Sequence, residues 1–590
     1  MTQFTRRAFV GAAAAAAAAS TLAEPPTAAG ALSTAPSGTP GGAASSYCDV
    51  LRIPDWVGVV AESGAPRTGL RRSGSSWQAS GVEIRTIPNS RSVAVSALSP
   101  ATPLKRIHLR WNLKVSGSLM CMGDAWERSY GALSWSILTP ERVMPWYFAT
   151  HDGAATHGYG VQVGAASFCF WQIDPEGVSL WLDVGNGGGG AQLGNRELAA
   201  ATLVARKGEP GELPSHAIAA LCREMCPAPR LPKAPVYGTN DWYYAYGNNT
   251  AEGILRDTRL VVSLAPEGAA RPFSVIDGGW QGKGAVNGGL AEQERVNVRF
   301  PDMARLAEQI RSAGARPGIW IRPVQAPAGA EQTLLLPAMR RHAQGASDPE
   351  PAYDPTIPEA LEAILAKVTQ VVNWKYELVK HDFSTYDLLG QWGFNMGGEL
   401  TQPGWHFHDR TRTNAEIVRS LYQALRRTAG EETLLLGCNT VGHLGAGLFE
   451  LQRTGDDTSG RLWERTRRMG INTLAYRLPQ NRTFFVQDAD CVGITRTVPW
   501  DLTSQWMDLL SRSGTALFIS PEPEAVGPDQ KKAMADAFAA AGSGDWSGYP
   551  TDWLHLTTPQ TWEFQRRGAP SSIVKHYRWC GESGYDPFSV

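Results

Sequence analysis

The sequence has no excess of either charge. Lys and Arg total 55 and Asp and Glu total 56, a net charge of −1, so there is no basic surplus to hold a phosphate backbone and a generic nucleic-acid binder is excluded. Cysteine is scarce: eight in 590 residues, at 48, 121, 169, 222, 226, 438, 491 and 580, too sparse for a disulfide scaffold and compatible with free thiols or one to three bridges. Cys222 and Cys226 have half of a zinc-site spacing, but no second Cys or His pair follows with metal spacing, and His406 and His408 have no partner motif; no metal is assigned. No uninterrupted apolar run reaches the ~18–20 residues of a spanning helix, so no stable membrane insertion is expected. No Gly-rich dinucleotide fingerprint follows the first strand of the strand–helix region, which argues against a doubly wound nucleotide-binding sheet.

Tryptophan, by contrast, is plentiful. Its 21 copies exceed what a core alone requires, and an indole offers a flat apolar face with one N–H donor, a surface suited to a sugar ring. The start of the chain reads as an address. Thr5-Arg6-Arg7-Ala8-Phe9-Val10 precedes an apolar Gly11–Ala19 run and then the small residues Ser20-Thr21-Leu22-Ala23. Paired arginines before a weakly hydrophobic stretch resemble a twin-arginine export signal over residues 1–23, which places the mature protein in the periplasm or outside the cell. Residues 24–46 are nearly all Pro, Gly, Ala, Ser and Thr, a flexible linker that cannot bury enough apolar surface to fold.

At roughly 100–200 residues per domain, the remainder suggests several units. From 47 to 230, short alternating segments such as Ile107-His108-Leu109-Arg110-Trp111 and Val178-Ser179-Leu180-Trp181-Leu182 predict a β-sandwich domain, with helical periodicity only at Ala217–Met225. From 231 to 542 the rhythm is strand then helix. Strand-like runs end at Asn240, Asp277, Pro323, Asp382, Asn439, Asp457, Asp490 and Pro521, and helical periods cover Ala251–Leu264, Met303–Ala313, Pro358–Val372, Ala415–Thr428 and Leu502–Ser511. Eight such units predict a central (β/α)8 TIM barrel. Residues 543–590, with Trp553, Trp562 and Tyr577-Arg578-Trp579, read as a small C-terminal β module.

In such a barrel the side chains that close each strand point into the active-site mouth. Here several are carboxylates. Lys380 and Asp382 lie two apart, on one side of the fourth strand, and Leu451-Gln452-Arg453-Thr454-Gly455-Asp456-Asp457-Thr458 closes the sixth. Two carboxyl groups across a mouth, one ionised and one protonated, are what glycosidic bond cleavage needs. A single strand-end Asp is more often a helix cap or a loop ion pair, so spacing alone does not decide.

Taken together, Asn240-Asp241-Trp242-Tyr243-Tyr244, Val275-Ile276-Asp277-Gly278-Gly279-Trp280, Gly318-Ile319-Trp320, Lys380-His381-Asp382, Cys438-Asn439 and Arg453-Thr454-Gly455-Asp456-Asp457 resemble glycoside hydrolase clan D, and most of all the melibiase-type α-galactosidases of family 36, over about residues 235–525. That resemblance implies a retaining exo-glycosidase with Asp382 as nucleophile, Asp457 rather than Asp456 as acid/base, and a carbohydrate as its partner. It implies that Lys380 binds sugar hydroxyls, that Arg453 orients the acid, that Asp277 binds the outer hydroxyls of the sugar, and that Cys438 and Asn439 lie near the 2-substituent. Trp242, Trp280 and Trp320 are candidate stacking residues, with Tyr243 and Trp392 near them. The mechanism needs no cofactor. The family's second-strand pair of aspartates is here Asp277-Gly278, so one acceptor is missing and the glycone is open among α-galactose, β-L-arabinopyranose and N-acetylgalactosamine. A transglycosylase like the raffinose synthases, and a non-catalytic carbohydrate-binding protein, are the alternatives.

Overall fold

The computed structural model describes residues 46–62, 67–282, 297–340, 350–581 and 584. Residues 1–23, read from the sequence as an export signal, and nearly all of the 24–46 segment read as a linker lie outside the described residues. Among the described residues, no helix is long and apolar enough to cross a membrane, and all eight cysteines are free thiols.

The N-terminal region is a sandwich of a six-stranded and a nine-stranded sheet, each built from antiparallel pairs. Ser92–Ser99 shows why: its residues alternate between half-buried and buried along all eight positions, the period of two that turns one face to a core. The core between the sheets is aromatic. Trp171 of the six-stranded sheet meets Phe148 of the nine-stranded one at 5.5 Å between ring centroids, and Trp111 and Trp146 beside them are fully buried. A helix, Pro214–Met225, ends this region with Ile218, Leu221, Cys222 and Met225 buried.

The central region is a barrel of parallel strands: Tyr237–Asn240, Phe273–Ile276, Arg316–Ile321, Leu378–His381, Leu434–Gly437, Leu451–Arg453, Val486–Asp488 and Leu517–Pro521, here the first to eighth. The first pairs with the eighth, and the Ala516 N–H donates to the Gln487 carbonyl at 3.0 Å across the seam between seventh and eighth. Helices Ala251–Leu264, Met303–Ser312, Pro358–Asn373, Asn414–Ala429 and Trp500–Arg512 fall where the helical periodicity puts them, within two residues at each end. Their starts are set by local chemistry: Thr250 and Asp302 accept from the third residue after them, and Thr413 and Glu416 form a reciprocal capping box. After the fifth strand only Gly442–Gly445 is helical, so the chain passes directly to the sixth.

Seven of the eight strands end within two residues of the sequence expectation, and the sixth falls four short. The sixth strand stops at Arg453, four residues before Asp457, because the next segment leaves the barrel ladder and pairs with the sandwich instead: the Ser129 N–H donates to the Thr454 carbonyl at 2.8 Å, and the Asp456 N–H donates to the Ser129 carbonyl at 2.8 Å. The seventh stops at Asp488. After Asp490, whose φ of 82° turns the chain, a short strand Val492–Ile494 adds to the eighth. The C-terminal residues form three antiparallel strands, Trp546–Pro550, Thr561–Arg566 and Ile573–His576, over buried Trp553, Trp562 and Trp579.

Candidate active site

The carboxylate that follows the fourth strand is pinned. Asp382 Oδ2 accepts from the Trp320 indole at 2.9 Å, and Oδ1 accepts from Asn439 Nδ2 at 2.5 Å and from the Phe383 N–H at 2.7 Å. Three elements therefore converge on one side chain that is only 1% exposed. Phe383 and Asn439 both hold positive φ, 67° and 51°, a conformation that costs about 1–3 kcal/mol for a residue with a side chain and persists where the surroundings over-determine it. Here it aims two donors at one oxygen.

Beside it lies a second buried group. Lys380 Nζ donates to Asp277 Oδ2 at 2.7 Å, and the same oxygen accepts from Asn240 Nδ2 at 2.9 Å. Burial works against the charge on Lys380, but the Asp277 carboxylate outweighs it and holds the ammonium above its usual pKa. Asp241, directly after the first strand, accepts from the Asp277 N–H at 2.7 Å and from Asn249 at 2.6 Å. Its burial, and then the neighbouring Asp277 charge, push its pKa up to about 7.

Across the mouth, Asp457 stands on a loop and is 24% exposed. Its Oδ1 is 3.2 Å from Arg453 Nη2 and 3.5 Å from Arg128 Nη1. Asp456 is occupied elsewhere, 3.0 Å from Arg128 Nη2 and 2.6 Å from Arg465 Nη2. Arg453 is buried and braced. Its Nη2 also donates to Asp490 and to the Tyr243 hydroxyl at 3.2 Å. Asp490 in turn accepts from Tyr243 and from both the N–H and hydroxyl of Thr458, at 2.7 and 2.9 Å. Asp490 thus braces both Arg453 and the loop that carries Asp457.

The tryptophans divide. Trp320 both donates to Asp382 and lies against position 278: a Cβ built on Gly278 would sit 3.8 Å from the Trp320 ring and 3.8 Å from the Trp242 ring. Trp242 is half-buried beside that gap. Trp280, a candidate stacking residue from the sequence, is not at the mouth. It is fully buried, donates to the Trp320 carbonyl at 3.0 Å and packs edge-on against Trp374 at the end of the Pro358–Asn373 helix, because Gly279 with φ 120° turns the chain outward after Gly278. Tyr243 spends its hydroxyl on Asp490, and Trp392 stacks on Tyr386 at 4.4 Å. Cys438 lines the barrel interior with Val275 and Leu436, its thiol pushed up in pKa by burial and then by Asp382. His381 is held neutral, its pKa lowered to about 4 by burial. Among the described residues, no cluster of three His, Cys, Asp or Glu side chains is arranged to hold a metal.

The residue that sequence reading missed is Arg128. It comes from the sandwich, 329 positions before Asp457, and its only local signal is the adjacent Glu127-Arg128 pair beside Trp126 in a segment of alternating β character.

No family model matches the chain. Its fold is that of the α-galactosidases of glycoside hydrolase family 36. It is similar to TtGalA, an α-galactosidase from Thermus thermophilus solved with p-nitrophenyl α-D-galactopyranoside, with a TM-score of 0.55 and 18% identity over 78% of this chain and 92% of that one. A substituted AgaA α-galactosidase from Geobacillus stearothermophilus, solved with 1-deoxygalactonojirimycin, superposes with a TM-score of 0.58 and 13% identity over 89% and 81%. The α-galactosidase from Lactobacillus brevis gives 0.52 and 11% over 91% and 86%.

Proposed function

We propose that the protein is an exported, retaining exo-glycosidase that removes α-galactoside-like terminal sugars. The observation that carries this is the contrast between two carboxyl groups on one barrel mouth: Asp382 fixed by three donors in a buried seat, and Asp457 on the rim beside two guanidinium ions. A nucleophile needs a fixed, ionised oxygen, and an acid/base needs access to the leaving group and to water. Asp382 attacks the anomeric carbon as the bond to the leaving oxygen breaks, and Asp457 gives that oxygen its proton. Asp457 then takes a proton from water, whose oxygen displaces Asp382 and restores both groups with net retention. Lys380, held by Asp277, presents a cation to the sugar hydroxyls. The likeness of the fold to proteins solved with galactosides supports the substrate class. The paired arginines near the N-terminus support export by the twin-arginine route to the periplasm or the medium.

The test is a chromogenic screen over an α-galactoside, a β-L-arabinopyranoside and an N-acetyl-α-galactosaminide, with NMR of the first anomer released. Cleavage of at least one with retention is expected. Cleavage of none, or inversion, removes the reading. Repeating the screen with acceptor sugars present separates hydrolysis from transglycosylation.

A further inference from the structure

The loop Trp126–Tyr130 of the sandwich is built into the barrel mouth. Besides the backbone pairing of Ser129 with Thr454 and Asp456, the Trp126 indole donates to the Gly397 carbonyl at 3.1 Å, and Glu127 Oε1 accepts from the Gly393 N–H at 2.9 Å. Arg477, itself paired to Asp124 at 2.9 Å, donates to the carbonyls of Glu127 at 2.6 Å and Thr454 at 2.9 Å, tying the sandwich loop to the acid loop. These contacts drive one buried guanidinium, that of Arg128, between Asp456, Asp457 and the face of Trp392, which it covers at 5.2 Å. Burying an arginine with this many fixed partners is costly unless its charge is used.

Resting on the reading of Asp457 as the acid/base, we infer that Arg128 is a positioning residue for that acid: it draws Asp456 aside and, with Arg453, holds Asp457 by Oδ1. Among the described residues, the charged and titratable groups that face Asp457 include Arg128 from the sandwich, Arg453 from the sixth strand, Arg465 and Asp456 from the loop and helix after it, and Tyr243 and Tyr246 after the first strand, with Asp490 behind Arg453. Arg128 is the one cation in this set supplied by another domain. Docking of the sandwich therefore completes the acid, and a barrel lacking it has the nucleophile but an unaimed proton donor.

The experiment compares wild type, Arg128→Met and Arg128→Lys in the full chain, measuring kcat and KM against pH on a glycoside with a poor leaving group and on one with an activated leaving group. A nearby cation favours the ionised carboxyl, so its loss raises the acid's pKa, and a rate that needs the protonated acid then persists to higher pH. For Arg128→Met the alkaline limb should move up by about 0.5–1 pH unit, and kcat on the poor leaving group should fall about 10-fold or more with KM changed less, while the activated substrate is largely spared. Arg128→Lys should restore the limb. An unmoved limb, or equal losses on both substrates, overturns the inference. Should Arg128→Met not fold, Asp456→Asn gives the same test with opposite sign: it removes a like charge and frees Arg128 for Asp457, so the limb should move down, and no shift overturns the proposal. A wild type that cleaves no glycoside instead removes the assignment of Asp457 on which the inference stands.

Discussion

Asp382 and Asp457 face the same barrel mouth, yet they are held in different ways. The first is 1% exposed and is fixed by an indole N–H, an amide and a backbone N–H from three elements of the barrel. The second is 24% exposed, sits four residues beyond its strand and is held by guanidinium ions, one of which belongs to a different domain. Neutral donors at short range define where an oxygen is. Charges at 3.2 and 3.5 Å on a loop bias where it is and how readily it keeps a proton, and leave it room to exchange that proton with water. The barrel alone fixes the first carboxylate, whereas a contact between two domains helps to hold the second.

The largest effect separates the two roles. Asp382→Ala should lose at least ~10³-fold in turnover, and azide should recover it by attacking from the vacated side to give a glycosyl azide of inverted configuration, identified by NMR or mass spectrometry. If azide fails with Asp382→Ala but gives a glycosyl azide of inverted configuration with Asp457→Ala, the two assignments are reversed, whereas an azide of retained configuration from Asp457→Ala agrees with its role as acid/base. Asp457→Ala comes next, with a loss in kcat/KM of about 10²–10⁴-fold on substrates that need protonation of the leaving oxygen and little loss in kcat/KM on glycosyl fluorides, whose kcat falls only through the slower hydrolysis of the glycosyl-enzyme. Similar losses in kcat/KM on both substrates would show that Asp457 gives no proton to the leaving group.

A smaller effect probes the rigid side of the mouth. Gly278 lies between the Trp242 and Trp320 rings, with space for a Cβ at ordinary contact distance. Gly278→Asp should therefore fit, and if a missing acceptor is what limits galactose binding, activity on α-galactosides relative to β-L-arabinopyranosides should rise by up to ~10–100-fold. A wild type that already prefers α-galactosides, with Gly278→Asp losing activity, would mean that the acceptor is supplied from elsewhere.

The smallest effect concerns the seam between domains. His443, after the fifth strand, stacks on Trp146 of the sandwich at 4.5 Å, and burial lowers its pKa to about 3. Unfolded, it would take up a proton near its ordinary value of about 6.5, so its contribution to stability is full above that value and is lost as pH falls towards 3. Replacing it by Phe should flatten the decline of melting temperature below pH 6, by about 1 °C for each kcal/mol recovered in a chain of this size. An unchanged slope in calorimetry would place the acid-labile group elsewhere.

Much of this architecture is legible without coordinates because its determinants are local. The period of two in Ser92–Ser99, the caps at Thr250, Asp302 and Thr413, and the strand-then-helix rhythm each act over a few residues, so they identify a sandwich followed by a barrel and place five helices closely. The candidates at Lys380 and Asp382 follow from the same logic, since a strand fixes which way its last side chains point. Trp280 was misplaced because composition reports that an indole is present but not which way a left-handed Gly279 sends it. The strand–helix rhythm puts Asp457 on a strand end that the chain does not form, because Ser129 pairs with the backbone of Thr454 and Asp456. Arg128 had no legible role at all. A guanidinium and a carboxylate 329 residues apart leave no pattern in either segment; their pairing depends on two domains burying a shared face, and that free energy belongs to the packed structure rather than to any stretch of the sequence.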